Sequence, residues 1–275
     1  MAVKEITVAI GLPWYAGPDH ETTAHHFILM SYLGRVQERS HVIAQWVEDG
    51  KHPLEIEERL CRLPKLDPTA TDAELPRDLW GTKISFILIE EVKCSLPGMA
   101  RERIADQALS SGAEYLFMWD SDMVVPTSAL FRLLRDDKPI LGALAFCGRD
   151  PVMPVLYKFG PETRANGDVG IRIDVIEDYL PDALQEVDAI GFGCVLIKTE
   201  CFRKIEKPWF NVAGMGEDIF WCMRAVKHGI PVFADTRVKV PHKPTFTKQW
   251  HTEEYYLSKR PKAAAFWDES MAVPA

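Results

Sequence analysis

The run EYLFMWDSDM, residues 114–123, constrains the fold more than any other stretch of the chain. Tyr115 to Trp119 are all apolar or aromatic with no polar alternation, which on a strand requires cover on both faces. Strands of that kind belong to α/β sheets with helices packed on either side. The run stops abruptly at two carboxylates, Asp120 and Asp122. In open α/β sheets ligands gather beyond the carboxyl ends of the strands, so both aspartates are expected to face a binding crevice.

The flanking sequence supplies the rest of such a sheet. Residues 5–11 read as a strand ending in a Gly11-Leu12-Pro13 loop, and 22–47 as a helix with Thr22 or Thr23 as N-cap. Residues 50–81 are charged and punctuated by Pro53, Pro64, Pro68 and Pro76, the pattern of a surface insertion, with a short helix over 54–63. Strands at 83–92 and 139–146 and helices at 97–112 and 127–135 complete a βαβαβ rhythm, which predicts a mostly parallel central sheet flanked by helices. Beyond Phe146 the rhythm breaks. Residues 151–188 carry Gly160, Asn166-Gly167 and Pro181 between short β-like pieces, a small antiparallel portion built of hairpins. A core strand entered through glycines (189–197), helices at 199–205 and 216–228, and strands closing at His242 finish the pattern. The expected organisation is one α/β domain over 1–245, with 246–275 as a C-terminal tail that forms a lid or a terminal helix.

Bulk properties exclude several classes. With 275 residues and 47% hydrophobic content the chain can bury a full core without staples. Its six cysteines are scattered without CxxC pairs, which argues against structural zinc and for small buried hydrophobes in a reducing compartment. A formal net charge of -8 and no clustered basic face argue against broad nucleic-acid binding. The opening MAVKEITVAIGLPWY lacks the features of a signal peptide and no stretch has the length of a membrane span, so a cytoplasmic location is expected.

Three clusters are able to carry chemistry. Residues two apart on an extended chain point the same way, so Asp120 and Asp122 would serve one divalent ion and the phosphates it bridges; the competing role is turn formation or helix capping. Gly214-Met215-Gly216-Glu217-Asp218 opens a helix. Its acids are either ordinary dipole partners or, with glycines letting a ligand approach, a source of a general base, Glu217 or Asp218. His242 in VKVPHKPTF ends the last predicted strand, where an imidazole beside two carboxylates suits Mn²⁺ as well as Mg²⁺.

The order of these clusters, DxD, then an ED acid pair at a helix start, then a strand-terminal histidine, resembles the GT-A glycosyltransferases, especially family 2-like enzymes and their small bacterial and phage-type members. The resemblance runs from Ile6 to about Lys243, omitting 50–81. It implies a Rossmann-like GT-A fold and transfer of a sugar from a nucleotide-diphosphate donor, most commonly a UDP-sugar, to an acceptor hydroxyl. It also implies that Asp120, Asp122 and His242 hold Mn²⁺ or Mg²⁺, that Ser121 lies beside the ribose and that Asp218 is the base. Leu12 and Pro13 would line the nucleobase. Arg101 of MARERIADQAL would approach the base or phosphates, or be a solvated helix charge. Gly191 and Gly193 would lie near the donor sugar, or be glycines that a strand start needs for packing. The acceptor, whether glycan, protein or small molecule, stays open, as does the choice between inversion and retention.

Other classes compete. A nucleotidyltransferase or phosphatase also uses a strand-end DxD with Mg²⁺. The first loop here has no lysine, however, and Val124 stands where a dehalogenase-type phosphatase would want threonine. A nucleotide-sugar-binding module without turnover is the non-enzymatic alternative.

Overall fold

The computed structural model describes residues 3–14, 20–67, 74–92, 96–163, 169–211, 215–243 and 250–259. Among them the chain forms β1 (Lys4–Trp14), α1 (His20–Glu48), α2 (Pro53–Cys61), β2 (Thr82–Val92), α3 (Pro97–Ser110), β3 (Tyr115–Trp119), α4 (Ala129–Asp136) and β4 (Ile140–Leu144). There follow β5 (Leu156–Thr163), β6 (Val169–Val175), β7 (Leu184–Val187), β8 (Ala189–Ile190), β9 (Cys194–Lys198), α5 (Glu200–Lys204), α6 (Glu217–Lys227), β10 (Val232–Lys239) and α7 (Glu253–Lys259).

The main sheet has seven strands in the order β2-β1-β3-β9-β4-β10-β7. Strand β1 runs parallel to β2 and β3, and β10 parallel to β4. Strand β9 is antiparallel to both neighbours, and β7 is antiparallel to β10. The sheet is therefore mixed, which corrects the expectation of a mostly parallel one. A second, three-stranded antiparallel sheet, β6-β5-β8, is the expected hairpin portion. Its Asn166-Gly167 turn lies outside the described residues.

Both faces of the main sheet are covered, as the apolar run of β3 requires. Phe117 and Trp119 pack with Leu29, Tyr32 and Leu33 of α1 and Phe131 of α4. Leu116 and Met118, one residue out of phase, pack with Ile104 and Ala108 of α3 and Trp221 of α6. Full burial of an aromatic such as Phe117 contributes about 2–3 kcal/mol relative to exposure. Helix α3 starts at Pro97, where a missing N–H leaves no bond unmade, and its end leads to Gly112 at φ +76°.

Several boundaries differ from the sequence expectation. Helix α1 begins at His20, ahead of both threonines expected to cap it. Residues 50–81 are not merely a surface insertion: Ile56, Leu66, Leu75 and Trp80 join the α1 side of the core. Arg39 and the Leu66 N–H both bind Glu74, tying that segment to α1. The expected strand over 189–197 is two, β8 and β9, in different sheets with Gly191-Phe192-Gly193 as the corner between them. Five cysteines are described and all are free; Cys194, Cys201 and Cys222 are buried as expected, whereas Cys61 is exposed and Cys147 half-buried. No helix among the described residues is long and apolar enough to cross a membrane.

Candidate functional site

Strand β3 delivers Asp120-Ser121-Asp122 to a half-buried ledge between two fully buried residues, Trp119 and Met123. The ledge is pinned from both sides. The Asp120 N–H donates to the Gly193 carbonyl (3.1 Å) and Met123 N–H returns to the Asp120 carbonyl (3.1 Å), turning the chain. On the other side Val124 N–H donates to the Pro241 carbonyl (2.9 Å) and Lys243 N–H to the Asp122 carbonyl (2.8 Å). A Met123–His242 bridge thus brings the histidine segment alongside the aspartates, as the sequence predicts.

Because the chain turns after Trp119, the two carboxylates meet different partners. Asp122 Oδ2 lies 3.0 Å from His242 Nε2. His242 Nδ1 is 2.8 Å from the Phe146 carbonyl, which only accepts, so Nδ1 carries the proton and Nε2 is turned to the carboxylate. Asp120 Oδ1 instead accepts from Arg101 Nη2 at 2.6 Å. Residues 121–122 form a turn rather than the expected extended chain, and each aspartate has its own protein partner. Among the described residues, no three His, Cys, Asp or Glu side chains are grouped so as to hold a metal. Asp122 and His242 are a two-residue donor pair that could hold an ion, with the imidazole oriented by a backbone carbonyl. Magnesium and similar ions are commonly bound by one or two protein groups and completed by water and substrate phosphates.

Arg101 is the second organiser. It is 97% buried by accessible surface (3% exposed), so it is not the solvated helix charge considered above. Its guanidinium bridges Asp120 to Glu217 at the start of α6 and lies over the Phe192 ring at 5.9 Å. Nη1 and Nη2 are paired with those two carboxylates. Glu217, held by Arg101, is less suited to act as a base than Asp218, whose Oδ1 accepts from the Ile219 N–H at 2.7 Å. Gly216 precedes them at φ +90°, a conformation open to glycine, and a Cβ there would stand 2.9 Å from Asp218 Oδ1. Gly214 lies outside the described residues.

Burial and charge tune these groups. Asp120 is pushed up to about 6 by burial, against the pull of Arg101 and with reinforcement from the Asp122 and Glu217 charges. Asp218 is also raised by burial, again opposed by Arg101. Burial pulls His242 down, but the hydrogen bond and charge of Asp122 outweigh it and the imidazole is raised above its ordinary 6.5. His26 is buried edge-on to Trp119 and its pKa is lowered by that burial.

The remaining expected residues have structural settings. Leu12 and Pro13 are not in a loop: β1 continues through them, paired in register with Glu90 and Glu91 of β2, and both are buried. Gly191 is explained by packing, since a Cβ would lie 2.8 Å from Val155 Cβ; at Gly193 a Cβ would lie 2.9 Å from Met123 Cε, the far end of a flexible side chain. Ser121 is half-buried between the aspartates. Trp209, Phe210 and Trp221 form an aromatic core with Phe202. One contributor was not apparent in the sequence. His251 pairs with His242 through both backbone N–H groups (3.1 and 2.8 Å), and nothing in KQWHTEEYY marks it beyond being a histidine before a helix.

No protein-family model and no curated protein sequence matches the chain. Among solved structures the chain is similar to A197 from STIV, at 13% sequence identity and a TM-score of 0.44 over 86% of this chain and 85% of that one.

Proposed function

We propose that the protein is a metal-dependent glycosyltransferase of the GT-A, Rossmann-like kind, moving a sugar from a nucleotide-diphosphate donor, a UDP-sugar in the first instance, to an acceptor hydroxyl. The observation that carries this reading is the Asp122–His242 pair at the carboxyl end of β3, with the Nδ1–H of His242 spoken for by Phe146. Asp122 and His242 would hold Mn²⁺ or Mg²⁺, and the bound ion supplies stabilisation of negative charge on the departing diphosphate.

The chain's own residues do the remainder. Asp120 and Glu217, tethered by Arg101, fix the end of β3 against the start of α6. Asp218 would act as the base, a reading supported by its raised pKa, which brings it nearer the pH at which proton transfer from a hydroxyl is effective. In an inverting reaction the acceptor oxygen bonds to the anomeric carbon while the bond to the diphosphate oxygen breaks, and the hydroxyl proton passes to Asp218. If Asp218 only orients hydroxyls, the donor configuration is retained.

The test is a panel of nucleotide sugars with and without Mn²⁺, reading thermal stability and release of nucleoside diphosphate. A matched donor should stabilise the fold only with metal, by mass action, and release its diphosphate. Stabilisation without release would indicate a binding module. No response to any donor with Mn²⁺ would sink the proposal.

A further inference from the structure

The C-terminal segment reaches the candidate metal seat through a histidine. The His251 N–H donates to the His242 carbonyl (2.8 Å) and the His242 N–H to the His251 carbonyl (3.1 Å), a closed two-residue antiparallel pair. Side chains repeat the coupling. His242 Nδ1 donates to the Phe146 carbonyl at 2.8 Å, and His251 Nδ1 donates to the next carbonyl, Cys147, at 2.7 Å. Two imidazoles therefore hang from consecutive carbonyls, their centroids 6.2 Å apart.

The surroundings hold that arrangement rigid. His251 is buried and its ring is stacked on Tyr255 of α7 (5.7 Å, 7°). Tyr256, the next residue, packs on the Phe146 ring at 5.2 Å, so the same helix braces the residue whose carbonyl orients His242. Helix α7 is itself anchored, with Tyr179 donating to Glu253 (2.9 Å) and Lys239 paired with Glu253 (2.6 Å).

We infer that His251 is a positioning residue of the Asp122–His242 seat: by holding the Cys147 carbonyl it fixes the Phe146–Cys147 backbone, and through the Phe146 carbonyl the direction in which His242 presents Nε2. This rests on the metal-dependent reading above. Partners that orient a metal-ligating histidine typically change metal affinity by about 10- to 100-fold when removed.

Two substitutions separate this role from simple anchoring of α7. Asn at 251 places an N–H donor where Nδ1 was, whereas Gln places it near the former Nε2. Mn²⁺ is titrated into the full-length chain at fixed pH and free ion is followed by electron paramagnetic resonance, with Asp122→Ala as reference. His251→Asn should keep Mn²⁺ affinity within about threefold of the unsubstituted protein, and His251→Gln should lose about tenfold or more. The His242 Nδ1–H proton resonance should persist in the first and exchange away in the second. Equal Mn²⁺ affinity in both variants, beside an unsubstituted protein that binds, overturns the positioning role and leaves the metal-dependent reading standing. An unsubstituted chain showing no Mn²⁺ binding that Asp122→Ala abolishes overturns both. Should His251→Gln fail to fold, Tyr255→Leu removes the stacked ring and leaves the Cys147 bond; a several-fold loss of Mn²⁺ affinity supports the role and unchanged affinity overturns it.

Discussion

Asp122 Oδ2 and His242 Nε2 lie 3.0 Å apart although 120 residues separate them along the chain. The pair raises the pKa of His242, so without metal it contributes stability that is fully present below the imidazole's ordinary 6.5 and lost as pH rises through the higher folded value. An imidazolium cannot ligate, so Mn²⁺ affinity should rise with pH over the same window. Thermal melts of the chain and of Asp122→Asn without added metal should converge as pH increases. Curves that stay parallel would remove the coupling.

Asp120 titrates in the same sense, at lower pH. Its folded value, about 6, lies above its ordinary 3.8. Between those pH values the folded chain keeps a proton that the unfolded chain has released, so stability falls as pH rises. Asp120→Asn without added metal should be more stable than the unsubstituted chain by up to about 3 kcal/mol at neutral pH, with the gain vanishing at about pH 4 and below. Urea denaturation at the two pH values checks this.

Arg101 holds two carboxylates in a buried setting, and removing one partner of such a group leaves charge uncompensated. Arg101→Met should cost about 3–5 kcal/mol. Adding Asp120→Asn should recover part of that loss, because the two residues touch and their effects are not additive. A double variant no more stable than Arg101→Met would show that the bridge to Glu217 carries the whole effect.

Asp218→Asn should leave Mn²⁺-dependent donor binding within a few-fold and depress transfer by about 10²- to 10⁴-fold, the usual range for a lost general base. The comparison is the nucleotide-sugar thermal shift against the rate of diphosphate release. Near-normal release would take the base role away from this residue.

Gly191 separates packing from donor contact. A Cβ there meets Val155 Cβ and Cγ2 at 2.8 Å, and a β-branched neighbour cannot swing aside. Gly191→Ala should destabilise by about 1–3 kcal/mol while Mn²⁺ affinity is unchanged. A loss of donor affinity at unchanged stability would instead place the glycine beside the sugar.

What was legible in the sequence was what local pattern encodes. Tyr115–Trp119 is buried on both faces, so its side chains can all be apolar, and the first charge marks where the cover ends. The direction of β9 was not legible, because CVLIK reads alike parallel or antiparallel and only its neighbours β3 and β4 fix it. Leu12 and Pro13 looked like a loop because Gly-Leu-Pro is turn-like, yet pairing with β2 extends β1 through Trp14. The packed part of 50–81 was missed because Ile56, Leu66, Leu75 and Trp80 follow no period. At the candidate site both aspartates and His242 were visible, but the Arg101 bridge and the His251 contact were not: Arg101 reaches Glu217 across 116 residues, and His251 meets backbone carbonyls that leave no mark on residue type.

Strand β9 sits as an antiparallel wedge between β3 and β4, which end at Trp119 and Leu144, well before β9 begins at Cys194. Until it arrives, both of those strands expose a bare edge with unpaired N–H and C=O groups, the kind of surface that recruits another chain. A nascent polypeptide ending before residue 189 therefore has no finished sheet to adopt. Completion waits on long-range closure, the kind of pairing that slows folding and leaves partial chains open to aggregation.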